Sequence, residues 1–126
     1  MYAAKTVSKG DKRHLATTRH AEFTMATDGS ASSPGDALLG SLCACLGHYA
    51  GDYLHREQIV FSEYSVSAES ELSDDRTRLA EIHVSIEFKD AVLTESQRLE
   101  LSNFVTQCFI YGTLKANGPV TIGVQP

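Results

Sequence analysis

The sequence predicts an α+β domain in which antiparallel strands accompany two helices. Three observations lead there. Residues 1–30 and 61–90 consist of strand-type runs broken by short polar turns. Between them, from Pro34 to Arg56, no proline intervenes and apolar residues recur at helical spacing. After residue 90, a second helix opens on a capping box and a strand-type run follows it. The 126 residues are enough for one compact domain and too few for two, so residues 1–126 are read as a single domain.

At the N-terminus, YAAKTVS and HLATTRHAEFTMA carry the β-branched and aromatic residues of strands, with KGD as the turn between them. The polar loop DGSASS leads to a strong helix start. Ser33 suits the N-cap, Pro34 the first helical position, and Asp36 the positive helix end. Leu38, Leu42, Cys45 or Leu46, Tyr49 and Tyr53 follow at helical spacing, and the first half of this helix is apolar nearly all round, hence predicted buried. FSEYSVSAESEL then alternates and turns at SDD into RTRLAEIHVSIEFKD, a β-hairpin with one apolar face. In TESQ, Thr94 and Gln97 form the capping box of the second helix, whose inward face is predicted as Leu99, Leu101, Val105 and Cys108. NGP at 117–119 ends that element, and VTIGV is predicted as a closing strand.

Composition narrows the function. The net charge of −5 argues against a general nucleic-acid binder, which needs a basic face for phosphates. Residues 1–20 nonetheless hold five Lys/Arg against Asp11 alone: either a solvated strand face or a cation delivered to a site. The longest apolar run, ALLGSLCACL at 37–46, is about half of a membrane span. With no secretory leader legible at MYAAKTVSKGDKR, the expectation is a soluble, cytoplasmic protein without a membrane partner. In a reducing compartment its three cysteines are buried and inert, metal-bound, or reactive.

Cys43 and Cys45, two apart on a helix, point about 200° away from one another and cannot share one site. Cys45 instead shares a face with His48 and Tyr49. Cys43 reads as a small buried hydrophobe. Cys45, His48 and Cys108 are the residues a zinc reading would take as ligands, although they lack the paired spacing of zinc sites. Cys45 and Cys108, one on each helix, are either two inert core residues or a redox pair.

SPGDALLGSLCACLGHYAGDYL resembles the long helix of the OsmC-like family, which includes the organic hydroperoxide resistance proteins. There a proline opens the helix and a peroxidatic cysteine lies eleven residues on, the separation of Pro34 and Cys45. CFIYGTLKANGPVTIGV resembles the family's second motif, with Cys108 as its cysteine. The likeness covers roughly residues 15–126. It implies the OsmC-like fold: antiparallel strands around a long buried central helix and a second helix, in an intertwined homodimer.

For function the resemblance implies a thiol peroxidase. Cys45 attacks an organic hydroperoxide and becomes a sulfenic acid, and Cys108 condenses with it to a disulfide. No bound cofactor is needed, and a dithiol of the dihydrolipoyl type recycles the disulfide. Cys45 lies too deep in its helix for the dipole to activate it, so a cation must do so. The family uses an arginine from the N-terminal strands, matched here by Arg19, with Arg13 second. Its arginine is held by a glutamate after the opening proline; here that position is Gly35, and Asp36 is the nearest carboxylate. Phe109 stands where proline usually follows the second cysteine, and Tyr111-Gly112 replaces a small polar pair. The alternative reading is a non-catalytic OsmC-like dimer that binds an apolar small molecule between its subunits.

Overall fold

A computed structural model describes residues 1–116 and 118–125. The chain forms two compact units, Met1–Gly40 and Ser41–Pro126. In the first, β1 (Lys5–Val7), β2 (Arg13–Thr17) and β3 (Glu22–Ala26) make an antiparallel sheet in that order. Lys5 pairs with Thr17, and Arg13 with Ala26. The single strand predicted over 14–26 is thus two strands. Thr18 closes the turn between them, its backbone N–H and its hydroxyl both donating to the Ala21 carbonyl at 2.9 and 3.1 Å. No glycine or proline marks this turn, which is why the sequence reads through it.

Helix α1 (Pro34–Arg56) has the predicted bounds. Ser33 Oγ accepts from the Asp36 N–H at 3.1 Å and donates to the Asp36 carboxylate at 2.9 Å, satisfying one orphan donor of the first turn. Burial, however, falls mainly on the second half of α1. Leu42, Leu46, Ala50, Gly51, Tyr53 and Leu54 are buried, whereas Leu38 is 41% exposed. Apolar sequence marks what favours burial, not what one chain supplies to cover it.

In the second unit, α1 is joined by the predicted hairpin, β4 (Glu63–Leu72) and β5 (Leu79–Lys89), in register from Glu63↔Lys89 to Ser70↔Ile82. Its inner face offers Tyr64, Val66, Ile82, Ile86 and Phe88 to the core. The period of two dictates this division of faces. Helix α2 (Glu95–Phe104) starts at the predicted capping box: Gln97 N–H to Thr94 Oγ1 at 3.1 Å, Thr94 N–H to Gln97 Oε1 at 2.9 Å.

Beyond α2 the structure departs from the prediction. A 3₁₀ turn (Val105–Gln107) tightens the chain, Cys108 takes an extended conformation, and a short helix α3 (Phe109–Lys115) begins. Leu101, Val105 and Cys108 are buried as predicted, but Leu99 is 63% exposed. Leu99 and Leu101, two apart, cannot lie on one helix face. Residues 120–124 form no strand, and Val120, Ile122 and Val124 are largely exposed. A strand needs an edge to pair with, and among the described residues none pairs with this segment. Of the predicted NGP stop, Asn117 lies outside the described residues.

One glycine, Gly51, lets the hairpin approach α1 closely. The Tyr64 hydroxyl donates to the Gly47 carbonyl at 2.9 Å, and a Cβ at Gly51 would strike that hydroxyl while meeting ring carbon Cζ at an ordinary 3.5 Å. Gly51→Ala should therefore destabilise the wild type by about 1–2 kcal/mol through the displaced hydrogen bond and ring. In a Tyr64→Phe background the same change should stabilise by up to ~1 kcal/mol from helix propensity. Urea melts of the four proteins check this, and the absence of a sign reversal would refute the contact.

Tyr53 gives a pH test. Its buried phenol donates to Glu100 at 2.8 Å, and burial, then Glu100, push its pKa up to about 12. An unfolded tyrosine releases its proton near pH 10. Between those values the folded chain keeps a proton the unfolded chain has lost, so stability present below pH 10 falls as pH rises. The slope is at most ~1.4 kcal/mol per pH unit. Tyr53→Phe should flatten that alkaline decline in melts from pH 9 to 11.5.

Candidate functional site

The second unit brings Cys45 and Cys108 together. Cys45, on α1, is half-buried against the core, and Cys108 is 1% exposed. Both are free thiols, and they lie near enough for Cys45 to influence the Cys108 thiol. The break after α2 is what sets Cys108 in place. It is the N-cap of α3: its Sγ accepts the Tyr111 N–H at 3.4 Å, and its carbonyl accepts the Gly112 N–H at 3.0 Å. Burial and the nearby Cys45 push the Cys108 thiol up, partly offset by the N–H groups of Tyr111 and Ile110. Cys108 is therefore held protonated at neutral pH, and Cys45 is the more accessible sulfur of the two.

Cys43 is partly buried, and burial alone pushes its thiol up. His48, one helical turn beyond Cys45, is exposed and pairs with Asp52, Nε2 to Oδ2 at 3.5 Å, its ring edge-on to Tyr49. Among the described residues no group of three or more His, Cys, Asp or Glu is arranged to hold a metal ion.

The two candidate arginines, Arg19 and Arg13, belong to the first unit. Arg19, in the Thr18–Ala21 turn, lies over the Tyr2 ring, 4.7 Å from its centroid. Arg13 donates to Ser30 Oγ at 2.8 Å, and Ser30 in turn donates to Asp28 from its hydroxyl (2.6 Å) and its backbone (3.0 Å), which lowers the Asp28 carboxyl. The Asp36 carboxylate is engaged by Ser33.

Two features lay beyond sequence reasoning. Cysteine is not among the residues that announce an N-cap, so the start of α3 at Cys108 carries no signal. Phe109 takes the first position of α3, where proline is favoured because its missing N–H would be an orphan there anyway. The second feature is an apolar groove of about 760 Å³ walled by Val84, Ile86, Phe88, Leu93, Leu101 and Val105, with Arg98 and Glu87 also on it. Neither thiol lines it. Leu46, which follows Cys45 in the chain, and Tyr111, which caps onto Cys108, do. No helix of the described residues is long and apolar enough to cross a membrane.

The family model for OsmC-like proteins matches residues 27–123. No curated protein matches the chain. Among solved structures, an OsmC-like protein from Mycoplasma pneumoniae is 21% identical, over 93% of this chain and 89% of that one, with a TM-score of 0.80. An organic hydroperoxide resistance protein OsmC from Legionella pneumophila is 14% identical over 93% and 90%, with a TM-score of 0.66. The organic hydroperoxide resistance protein OhrB of Bacillus subtilis is 15% identical over 93% and 92%, with a TM-score of 0.62. These likenesses establish the fold.

The exposures order the thiols. Under brief iodoacetamide treatment of the reduced protein at pH 8, Cys108 should label last, more than about tenfold slower than Cys45, because it reacts only through local opening. Peptide mass mapping reads the order, and equal rates would contradict the burial of Cys108.

Proposed function

The chain belongs to the OsmC-like family, and on that basis we propose that it is a cysteine-based thiol peroxidase that reduces organic hydroperoxides. The observation that carries this reading is the nearness of the Cys45 and Cys108 thiols in one core. The accessible Cys45 thiolate attacks the hydroperoxide; an S–O bond forms, the O–O bond breaks, and the alkoxide leaves as an alcohol with a proton. Cys108 then attacks the Cys45 sulfenic acid, the S–S bond forms, and water leaves. An external dithiol of the dihydrolipoyl type reduces the disulfide by exchange, in a reducing cytoplasm. No bound cofactor takes part.

Arg19 supplies the cation for the Cys45 thiolate. Arg13 is already tied to Ser30, which favours Arg19. With Gly35 in place of the family glutamate and Asp36 engaged by Ser33, stacking on Tyr2 holds the Arg19 guanidinium instead. The working form is an intertwined homodimer. Leu38, Val120, Ile122 and Val124, apolar and exposed in the single chain, support it.

The apolar groove favours a second reading, a non-catalytic dimer that binds an apolar small molecule. Single-turnover treatment with cumene hydroperoxide and intact-mass analysis separates the two. The peroxidase gives a product two hydrogens lighter in the wild type, a species one oxygen heavier in Cys108→Ser, and no reaction in Cys45→Ser. Arg19→Ala should slow the first step by about a hundredfold. Thiols that stay reduced throughout would refute the peroxidase and leave the binding protein.

A further inference from the structure

Cys108 holds two positions at once. Its sulfur lies near Cys45, and the same sulfur caps α3 by accepting the Tyr111 N–H at 3.4 Å. Beyond that cap, helix α3 is held by the partly buried Ile110 and Tyr111, which pack against the core. It spans seven residues, none of them buried, and a helix so short is marginal without a cap or packing. At its two ends the Gly112 N–H donates to the Cys108 carbonyl and the Ala116 N–H to the Gly112 carbonyl, both at 3.0 Å. The Lys115 ammonium lies over the Tyr111 ring at 5.3 Å, a solvent-side contact within the helix.

We propose that oxidation uncaps α3: when Cys108 forms a disulfide with Cys45, its sulfur turns from the Tyr111 N–H, and Phe109–Lys115 loosens. The inference rests on the reading above that these two cysteines form a disulfide. In that step two thiols lose two electrons and two protons; an organic hydroperoxide takes them up and becomes an alcohol and water. The consequence is access. In the reduced protein Cys108 is 1% exposed, closed to any thiol reductant. Uncapping opens the segment over this sulfur in the oxidised form alone, the form a dithiol has to reach. Tyr111, a wall residue of the apolar groove, moves with it, so the groove changes shape with redox state.

The test uses diamide as oxidant, which makes the disulfide whether or not the protein is a peroxidase. Amide exchange by NMR is compared in reduced and diamide-oxidised wild type, the disulfide being verified by peptide mass. The Gly112–Ala116 amides should exchange about fivefold faster when oxidised, the factor that matches an N-cap, while β4 and β5 amides keep their rates. Reduced Cys108→Ala, which lacks the sulfur, should exchange like the oxidised wild type. Cys108→Ser, which keeps an acceptor and cannot form the disulfide, should stay slow with or without diamide.

Equal protection of α3 in both redox states, an unchanged α3 in Cys108→Ala, or no Cys45–Cys108 disulfide under diamide would each overturn the proposal. A disulfide formed by diamide but not by cumene hydroperoxide would refute the peroxidase reading and leave the uncapping standing.

Discussion

The second unit depends on the burial of one face of α1. Leu42, Leu46, Ala50, Tyr53 and Leu54 remove a continuous stripe of apolar surface from water, and the elements that follow in the chain pack against it. On one side the hairpin reaches the helix because Gly51 leaves room for the Tyr64 hydroxyl, which donates to the Gly47 carbonyl. On the other, Leu101, Val105 and Cys108 close over the same stripe. The buried Tyr53 phenol finds Glu100 on α2, so the polar group it carries into this core is satisfied.

The site follows from that packing. Cys45 stands at the margin of the buried stripe, exposed enough to meet a small molecule and close enough to the core to lie near Cys108. Cys108 lies where the chain changes from one helix to another, and such a junction leaves N–H groups that need an acceptor. A sulfur supplies it here. The arrangement thus gives the two thiols unlike surroundings, one accessible and one held, which is the asymmetry that division into attacking and resolving sulfurs calls for.

The departures from the family pattern have different weights. Phe109 in place of proline falls on the first position of α3, where many residues serve, so it costs the site little. In the proposed mechanism, Gly35 in place of glutamate bears on Arg19, since the neighbouring carboxylate of Asp36 is committed to Ser33 as part of the helix cap. The chain keeps a cation–π contact at Arg19, a weaker and less directional restraint than a bidentate carboxylate.

Local chemistry was legible in the sequence by itself. The bounds of α1, its Ser33 cap, the alternating faces of β4 and β5, and the Thr94–Gln97 box each depend on a few residues close in the chain, and each stands as predicted. The motifs around Cys45 and Cys108 carried the family as well. What the sequence hid either carried no local signal or was decided by packing. The turn at Thr18 has no glycine or proline to announce it. Leu99 is apolar yet exposed, because helix phase outranks hydrophobicity. The strand-like run at 120–124 finds no edge among the described residues. The cap at Cys108 exists only because tertiary packing breaks a helix there: propensity is set locally, but which sulfur meets which N–H is set by how the core closes.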